Sequence, residues 1–343
     1  MDPALPSALR VAINLRLEGQ AREGLARRAG TLSEGYRKGR ASSTLVRGAE
    51  DALAYALTRT PATYAAVRRA LEETHALDPE FHPLSLLDAG AGPGGAGWAA
   101  LDAFPGISEV TRLDHNAAFL DLAGSLAAEG PEALARAQRL QADLATGALP
   151  AAFRADLVIA AYALTEIAPG ALPGAISRLW AATGSRILIV EPGSPEGWRR
   201  GLEVRRELIA QGAQILAPCP HERPCPIAAP DWCHFSQRLP RSRDHRRAKG
   251  GEAPFEDEKF FWIAAARPRP GIPALTASRV IAPPRTGKAG VRLRLCRPDG
   301  TVADVDFARR DRSALARVRR LDWGDALPEV ELPDVARPEV GDQ

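Results

Sequence analysis

The stretch SLLDAGAGPGG, residues 85–95, decides how the chain is read, because a short apolar run passes directly into a glycine-rich loop with an acid, Asp88, at the junction. Glycines at 90, 92 and 94 let the backbone approach a ligand closely. A helix predicted from about Ala96 would turn its unpaired N–H groups toward any negative group held there. The same rhythm continues downstream: EVTRLDH, RLQADL, ADLVIAAYAL and RILIVEPG are each of strand length, and helical stretches separate most of them. That alternation predicts an α/β chain with a doubly wound, mostly parallel sheet. Asp114 closes the strand after the glycine loop, at about the distance where such folds hold ribose hydroxyls, and Asp143 stands at the next strand end. Any one of these acids alone reads as a helix cap or a loop carboxylate. Three at successive strand ends predict a nucleoside site outside the carboxyl ends of the sheet.

A second stretch, ILAPCPHERPCPIAAPDWCHFSQR, residues 215–238, holds Cys219, Cys225 and Cys233; the remaining cysteine is Cys296. Each cysteine alone would read as a small buried apolar residue. Sparing use combined with tight clustering points to a metal site rather than a disulfide framework. Zinc sites usually pair their thiolates two to four residues apart, a spacing this chain lacks. Looser loops with Cys-Pro twice suit an iron–sulfur cluster better. Zinc stays as the alternative, with His221 or His234 able to replace a thiolate.

PCPHERPCP, DWCHFSQR and EDEKFFWIAAAR resemble the family of small-ribosomal-subunit methyltransferase-like proteins, the Rsm-twenty-two or methyltransferase-like seventeen type. The likeness runs from about Tyr55 to the Trp-Gly-Asp at 323–325. It implies a class I (Rossmann-like) methyltransferase sheet with an N-terminal helical region, a cysteine-rich metal-binding insertion and a small C-terminal β appendix. It also implies a [4Fe–4S] cluster on Cys219, Cys225, Cys233 and Cys296, and association with the assembling small ribosomal subunit. GAQILAPC and EKFFWIAAAR would be the sixth and seventh strands, an antiparallel pair, with the metal loop inserted at the sheet's edge. The spacing from Gly90 to Asp114 also suits a nicotinamide dinucleotide. The acid standing before the glycines is instead similar to the S-adenosylmethionine motif. By that resemblance Asp88 borders the amino-acid end of the cofactor, Gly90, Gly92 and Gly94 pass beneath it, Asp114 takes the ribose hydroxyls and Asp143 meets the adenine amino group. Many methyltransferases that act on base nitrogens carry Asn/Asp-Pro-Pro-Tyr after the fourth strand. Here AYALTE, residues 161–166, stands in its place, so no catalytic residue is assigned and Tyr162 reads either as a stacking platform or as core.

Residues 5–79 read as helices, with one apolar stripe through Leu9, Ile13 and Leu17, a second from Leu45 to Leu57, and a further segment beginning at Thr60-Pro61. Between them residues 29–43 are basic and glycine-spaced. This region reads as a helical cap on the following domain or as a contact to RNA. The run QRLPRSRDHRRAKGG, residues 237–251, sets Arg238, Arg241, Arg243, Arg246, Arg247 and Lys249 against a single Asp244, and reads as a loop offering phosphate-binding groups to ribosomal RNA. After Arg267 a proline-rich linker leads to a strand, a Pro-Asp-Gly turn and a strand, then an acidic tail expected to be loosely ordered. The chain is therefore divided into a helical region (1–80), a methyltransferase-like domain (81–268, with the metal-binding and basic insertion at 219–251) and a β-rich appendix (269–343).

The net charge of +3 is nearly balanced, so local charge is the better guide. No apolar run approaches the roughly 20 residues that span a bilayer, so a soluble protein without a membrane partner is expected. The N-terminus lacks a secretory signal and is a poor match to a mitochondrial presequence, which predicts a bacterial-type cytoplasmic setting. No oligomerisation surface is evident. Two functions fit: an S-adenosylmethionine-dependent methyltransferase of ribosomal RNA, or a non-catalytic small-subunit assembly factor that retains the fold. Radical chemistry would need Cys-x3-Cys-x2-Cys, which is absent.

Overall fold

The computed structural model describes residues 3–328 except 39, 41, 148 and 272–274; the acidic tail from 329 onward lies outside the described residues. The main sheet is built from β1 (Ser85–Ala89), β2 (Glu109–Asp114), β3 (Gln138–Gln141), β4 (Ala155–Ala161), β5 (Thr183–Pro192), β6 (Gln214–Ala217), β7 (Phe235–Pro240) and β8 (Phe255–Ala266). Its order is β3-β2-β1-β4-β5-β8-β6, with β7 also paired to β8. Strands β1 to β5 pair in parallel, whereas β8 runs antiparallel to β5 and β6. This is the Rossmann-like order of a methyltransferase-type sheet, with the late antiparallel strand placed between the fifth and the sixth.

The N-terminal region contributes α1 (Ser7–Leu17), α2 (Arg22–Arg37), α3 (Ser42–Leu45) and α4 (Ala49–Leu77). Within the sheet region lie α5 (Gly95–Ala103), α6 (Ala117–Ala127), α7 (Glu132–Ala135), α8 (Leu172–Ala182), α9 (Pro195–Ala210) and α10 (Arg243–Lys249). Alternate strand residues face opposite layers, as the pleat requires. Leu86, Leu157, Leu188 and Trp262 pack with the N-terminal helices, α5 and α6. Leu87, Val158, Ile187 and Ile263 pack with α8 and α9. Buried on both faces, β4 reads as the near-continuous apolar run ADLVIAA.

Helix α4 differs from expectation. The sequence predicts a new segment at Pro61, yet the helix runs unbroken through it. Proline cannot donate to the carbonyl four residues back, a cost of about 3 kcal/mol. Leu53, Leu57, Tyr64, Val67 and Leu71 are all buried, and at about 1.5–3 kcal/mol each their packing outweighs that loss. α4 also crosses α5 closely. A Cβ on Gly95 would stand 3.2 Å from Thr60 Cγ2, so glycine is what permits this approach. The helical N-terminus thus shares its core with the sheet.

The second difference is at the sheet's last strand. Residues 237–251, read as a loop, fall largely within β7 and α10 (Phe235–Pro240 and Arg243–Lys249). Phe260 of β8 pairs with Pro192 of β5 on one side and with Phe235 of β7 on the other, so β7 lies on the β6 side. Along β8 the partner changes from Ala217 at position 264 to Phe235 at position 260. β6 and β7 are therefore two halves of one edge strand, and the cysteine loop is an excursion between them. Phe235 and Leu239, four residues apart on one face of β7, are both buried and hold the second half in register.

The C-terminal part is an antiparallel sheet of β9 (Ala277–Val280), β10 (Arg285–Thr286), β11 (Gly290–Cys296), β12 (Val302–Ala308) and β13 (Ala326–Pro328), with α11 (Arg312–Val318) against it. Its apolar core is its own, centred on Val280, Leu293, Leu295, Val305 and Phe307. The Pro-Asp-Gly turn joins β11 and β12, with Gly300 at φ +85° donating to the Arg297 carbonyl at 3.0 Å. No described helix is long and apolar enough to cross a membrane.

Candidate cofactor pocket and cysteine centre

A pocket opens at the carboxyl ends of β1, β2 and β4, lined by Gly90, Gly92, Asp114, His115, Asp143, Tyr162, Ala163 and Glu166, with Ser42 and Tyr55 contributed by the N-terminal helices. The glycine loop is fastened from below: the Gly90 and Ala91 N–H groups both donate to the Leu113 carbonyl, at 2.7 and 3.0 Å. Gly90 has φ +74°, and a Cβ there would lie 2.4 Å from that of Ala163, so the position admits only glycine. Gly92 also has a positive φ (52°), but nothing lies within 4 Å of its would-be Cβ. It is the open cradle of the loop, where a ligand can rest on backbone.

Asp114 is buried yet lines the pocket, accepting the Gly92 N–H on Oδ2 and the Asn116 N–H on Oδ1, both at 2.8 Å. Asp143 also lines the pocket, its Oδ1 accepting the Ala145 N–H at 2.6 Å. Asp88 and Gly94 are placed differently, outside the lining residues. Gly94, at φ +90°, caps α5. Asp88 lies behind the loop, where Oδ2 accepts the Gly97 N–H at 3.0 Å and Oδ1 has no partner.

Ser42, Tyr55, His115 and Glu166 line the pocket although sequence reasoning does not mark them, whereas it does mark Tyr162. The Glu166 Oε2 accepts both the N–H and the hydroxyl of Ser42, at 2.9 and 2.7 Å, and so ties α3 over the pocket. Tyr162, at φ 57°, is the one non-glycine residue of positive φ among the described residues, a strain that concentrates at functional sites. Its hydroxyl donates to Glu258 Oε1 at 2.9 Å, and Arg59 pairs with the same carboxylate at 3.0 Å. Glu191, fully buried at the end of β5, accepts the Leu164 N–H at 2.9 Å, and its other oxygen is unpartnered. An acid closing the apolar run ILIV is the signal that could have marked it.

Burial pushes the Asp88 carboxyl up to about 7 and the Glu191 carboxyl up to about 8. Between their ordinary values near 4 and these raised values, the folded chain keeps protons that the unfolded chain has released. Their contribution to stability is therefore complete below about pH 4 and is lost as pH rises through about 7 to 8. Thermal melts should show a falling Tm from pH 5.5 to 8.5, a loss of up to about 5 kcal/mol for the two groups together, since each tenfold difference in proton affinity is worth about 1.4 kcal/mol. Glu191→Gln together with Asp88→Asn should flatten that slope; an unchanged slope in the double variant would refute the assignment.

The four cysteines, three from the loop after β6 and one from β11, line one cavity with His221, Arg205, Phe235 and Arg279. Cys296 ends β11 directly opposite Arg279 of β9, and its Sγ lies 3.6 Å from His221 Nε2. All four thiols are free, and burial raises each of them, Cys296 to about 12 with the neighbouring sulfurs of Cys219 and Cys225 adding to the effect. Among the described residues no group of three or more His, Cys, Asp or Glu stands in metal-holding geometry. The donor chemistry nevertheless fits a thiolate-bound metal group. Four thiolates around a dipositive centre leave two negative charges, and two buried arginines face them. Arg205 donates to the His221 carbonyl with its Nε unpaired. Arg279 donates to the carbonyls of Pro218 (3.1 Å) and Gly324 (2.6 Å) and pairs with Glu73 of α4 (2.8 Å). His234 does not line the cavity; it stacks on Trp232 and meets Trp323 edge-on.

The basic run is partly neutralised. Arg238 forms a two-point pair with Asp257, and Arg241 and Lys249 both hold Glu256. Arg243 and Arg247 remain exposed, and Arg246 reaches the Glu252 carbonyl at 3.5 Å.

Sheet order, glycine loop and pocket together define a Rossmann-like protein of the methyltransferase type. The chain belongs to the family described as mitochondrial small ribosomal subunit Rsm22, whose sequence model matches residues 49–328. It is 31% identical over 292 residues to the human mitochondrial ribosome assembly protein METTL17, a match covering 80% of this chain and 62% of that relative, so the chain spans less than two thirds of the relative's length. Among solved structures it is similar to magnesium protoporphyrin IX methyltransferase from Synechocystis (16% identity, 60% of this chain and 80% of that one, TM-score 0.40). It is also similar to a TehB-like S-adenosylmethionine-dependent methyltransferase from Corynebacterium glutamicum (16%, 57% and 87%, TM-score 0.37). Both likenesses are distant.

Proposed function

We propose that this protein binds S-adenosylmethionine in the β1–β2–β4 pocket, holds a [4Fe–4S] cluster on Cys219, Cys225, Cys233 and Cys296, and acts on the small ribosomal subunit as an rRNA methyltransferase. The observation that carries the reading is the open backbone of Gly92 beside the pocket-lining carboxylate of Asp114. In this reading Asp114 takes the ribose hydroxyls, Asp143 meets the adenine amino group, and Gly90 and Gly92 pass beneath the cofactor. Asp88 and Gly94 act from behind by fixing the loop to α5. The bound sulfonium supplies an electrophilic methyl group; the chain's own part is to position an acceptor in line with it. Tyr162, whose hydroxyl bonds Glu258, would be the side chain to stack an incoming base, although it also packs against the core.

The cluster would fasten the loop, the β9–β11 edge and α9 to one another, with Arg205 and Arg279 countering its charge. Zinc is the alternative occupant, with His221 as the replacement ligand. Arg243, Arg246 and Arg247 would contact RNA, as the members of the run that no acid among the described residues neutralises, unlike Arg238, Arg241 and Lys249. The division into 1–80, 81–268 and 269–343, and a cytoplasmic location, belong to the same proposal.

A second reading, a non-catalytic assembly factor, is favoured by one observation: the chain's own Ser42 and Tyr55 wall the pocket, and Glu166 holds Ser42 there. The relative named as a ribosome assembly protein supports the same reading. Mapping methylated nucleotides of small-subunit RNA separates the two. A deletion strain and a strain carrying Gly92→Arg, which fills the cradle, are both expected to lose the same modified nucleotide. Normal assembly in the Gly92→Arg strain with every modification in place would transfer the function to the second reading.

A further inference from the structure

We propose that the groove between α2 on one side and Arg40, α3 and the start of α4 on the other is an RNA-binding site, along which a single strand reaches the cofactor pocket. Its charged lining is Arg27, Arg28, Arg40, Arg47, Glu50 and Asp51. Both acids are already engaged. Arg28 pairs with Glu50 and with Asp51, the latter at 2.7 Å, and the Arg47 N–H donates to the other Asp51 oxygen at 3.0 Å. The side chains of Arg27, Arg40 and Arg47 are exposed and have no acid partner among the described residues. Uncompensated positive charge in a concave surface focuses the field there, and guanidinium planes match phosphate oxygens.

The position of the groove selects its occupant. Helix α3 is the wall it shares with the pocket: Thr44 and Leu45 line the groove, and Ser42 lines the pocket, where Glu166 holds it. A ligand in the groove is thus one short helix away from the glycine loop. Three separate guanidiniums call for a repeating anion rather than a single phosphate, and in a family described as belonging to the small ribosomal subunit that anion is RNA. Phosphate contact is thereby assigned chiefly to the N-terminal helices, because Arg238, Arg241 and Lys249 serve acids within the chain. The inference rests on the reading of the pocket as a nucleoside site and of the partner as RNA.

The test uses the whole chain and a fluorescein-labelled single-stranded RNA of about 20 nucleotides, long enough to span several phosphate contacts. Anisotropy is measured across a potassium chloride series. R27Q/R40Q/R47Q should weaken binding at least tenfold and reduce the slope of log affinity against log salt by about two, since each lost single-strand phosphate contact removes about 0.7. The charge-matched R309Q/R310Q/R312Q, exposed residues near and within α11, should change neither. If the triple variant melts at a lower temperature, R27Q alone carries the test, with a slope change of about 0.7. S-adenosylmethionine binding, measured by calorimetry on the same proteins, should be the same in all. Absence of cofactor binding throughout would sink the reading of the pocket and leave the groove result standing. A wild-type chain that ignores the RNA, or a groove variant that behaves like wild type or like its charge-matched control, overturns the groove.

Discussion

Asp114→Ala is expected to weaken S-adenosylmethionine binding by a factor of about 100 or more, because hydrogen bonds to a charged group are worth about 1.5–3 kcal/mol each and a ribose offers two. The carboxylate also holds the Gly92 N–H and the Asn116 N–H at 2.8 Å, and so sets the shape of the cradle. Asp114→Asn separates ligand contact from loop shape. It keeps the size and one acceptor, and should recover part of the affinity. Titration calorimetry of wild type and both variants reads the effect, and equal affinity in all three would remove Asp114 from the site. Asp88→Asn should have a much smaller effect on affinity, since Asp88 lies behind the loop and bonds Gly97 rather than lining the pocket.

The second large effect is expected at Cys233. Its side chain packs against both core layers of the sheet, so serine in its place loses little volume, and packing alone would cost about 1–2 kcal/mol. If the four thiolates hold a cluster, the substitution removes a ligand, and the free energy of metal binding is lost from folding. Wild-type protein purified without oxygen should be brown with about four iron per chain. Cys233→Ser should fall close to zero iron and lose at least about 10 °C in Tm, given roughly 2–4 °C per kcal/mol for a domain of this size. Cys296→Ser should behave alike, because Cys296 reaches the same cavity from β11. Colourless wild-type protein with one zinc would replace iron by zinc. Metal-free wild type melting like its variants would leave the cysteines as packing.

The parallel strands were legible because each carries its signal locally: an apolar run, a loop, then a helical period. The glycine loop was legible for the same reason, and Asp114 and Asp143 line a pocket at the strand ends. What could not be read depends on partners distant in sequence. Arg238 looked free because Asp257, which faces it directly across the β7–β8 ladder, lies nineteen residues further on. α4 passes through Pro61 because the sheet layer beneath it supplies the burial that offsets a missing hydrogen bond. Asp88 was expected at the ligand, yet the start of α5 draws its carboxylate behind the loop. Convergence of Cys296 on the other cysteines was carried by family likeness alone; in space it follows from Arg279, which stands opposite Cys296 and bonds the Pro218 carbonyl at the start of the loop.

The interrupted edge strand has one more effect. A β-sheet that ends in a long straight strand presents a row of free N–H and C=O groups, a ready template for another chain. Here that row is cut into pieces of four and six residues by the outward excursion between Ala217 and Phe235. Prolines at 218, 220, 224, 226, 230 and 240 remove donors along the same line. The detour that gathers the four cysteines thus also deprives a neighbouring copy of a continuous strand to zip onto.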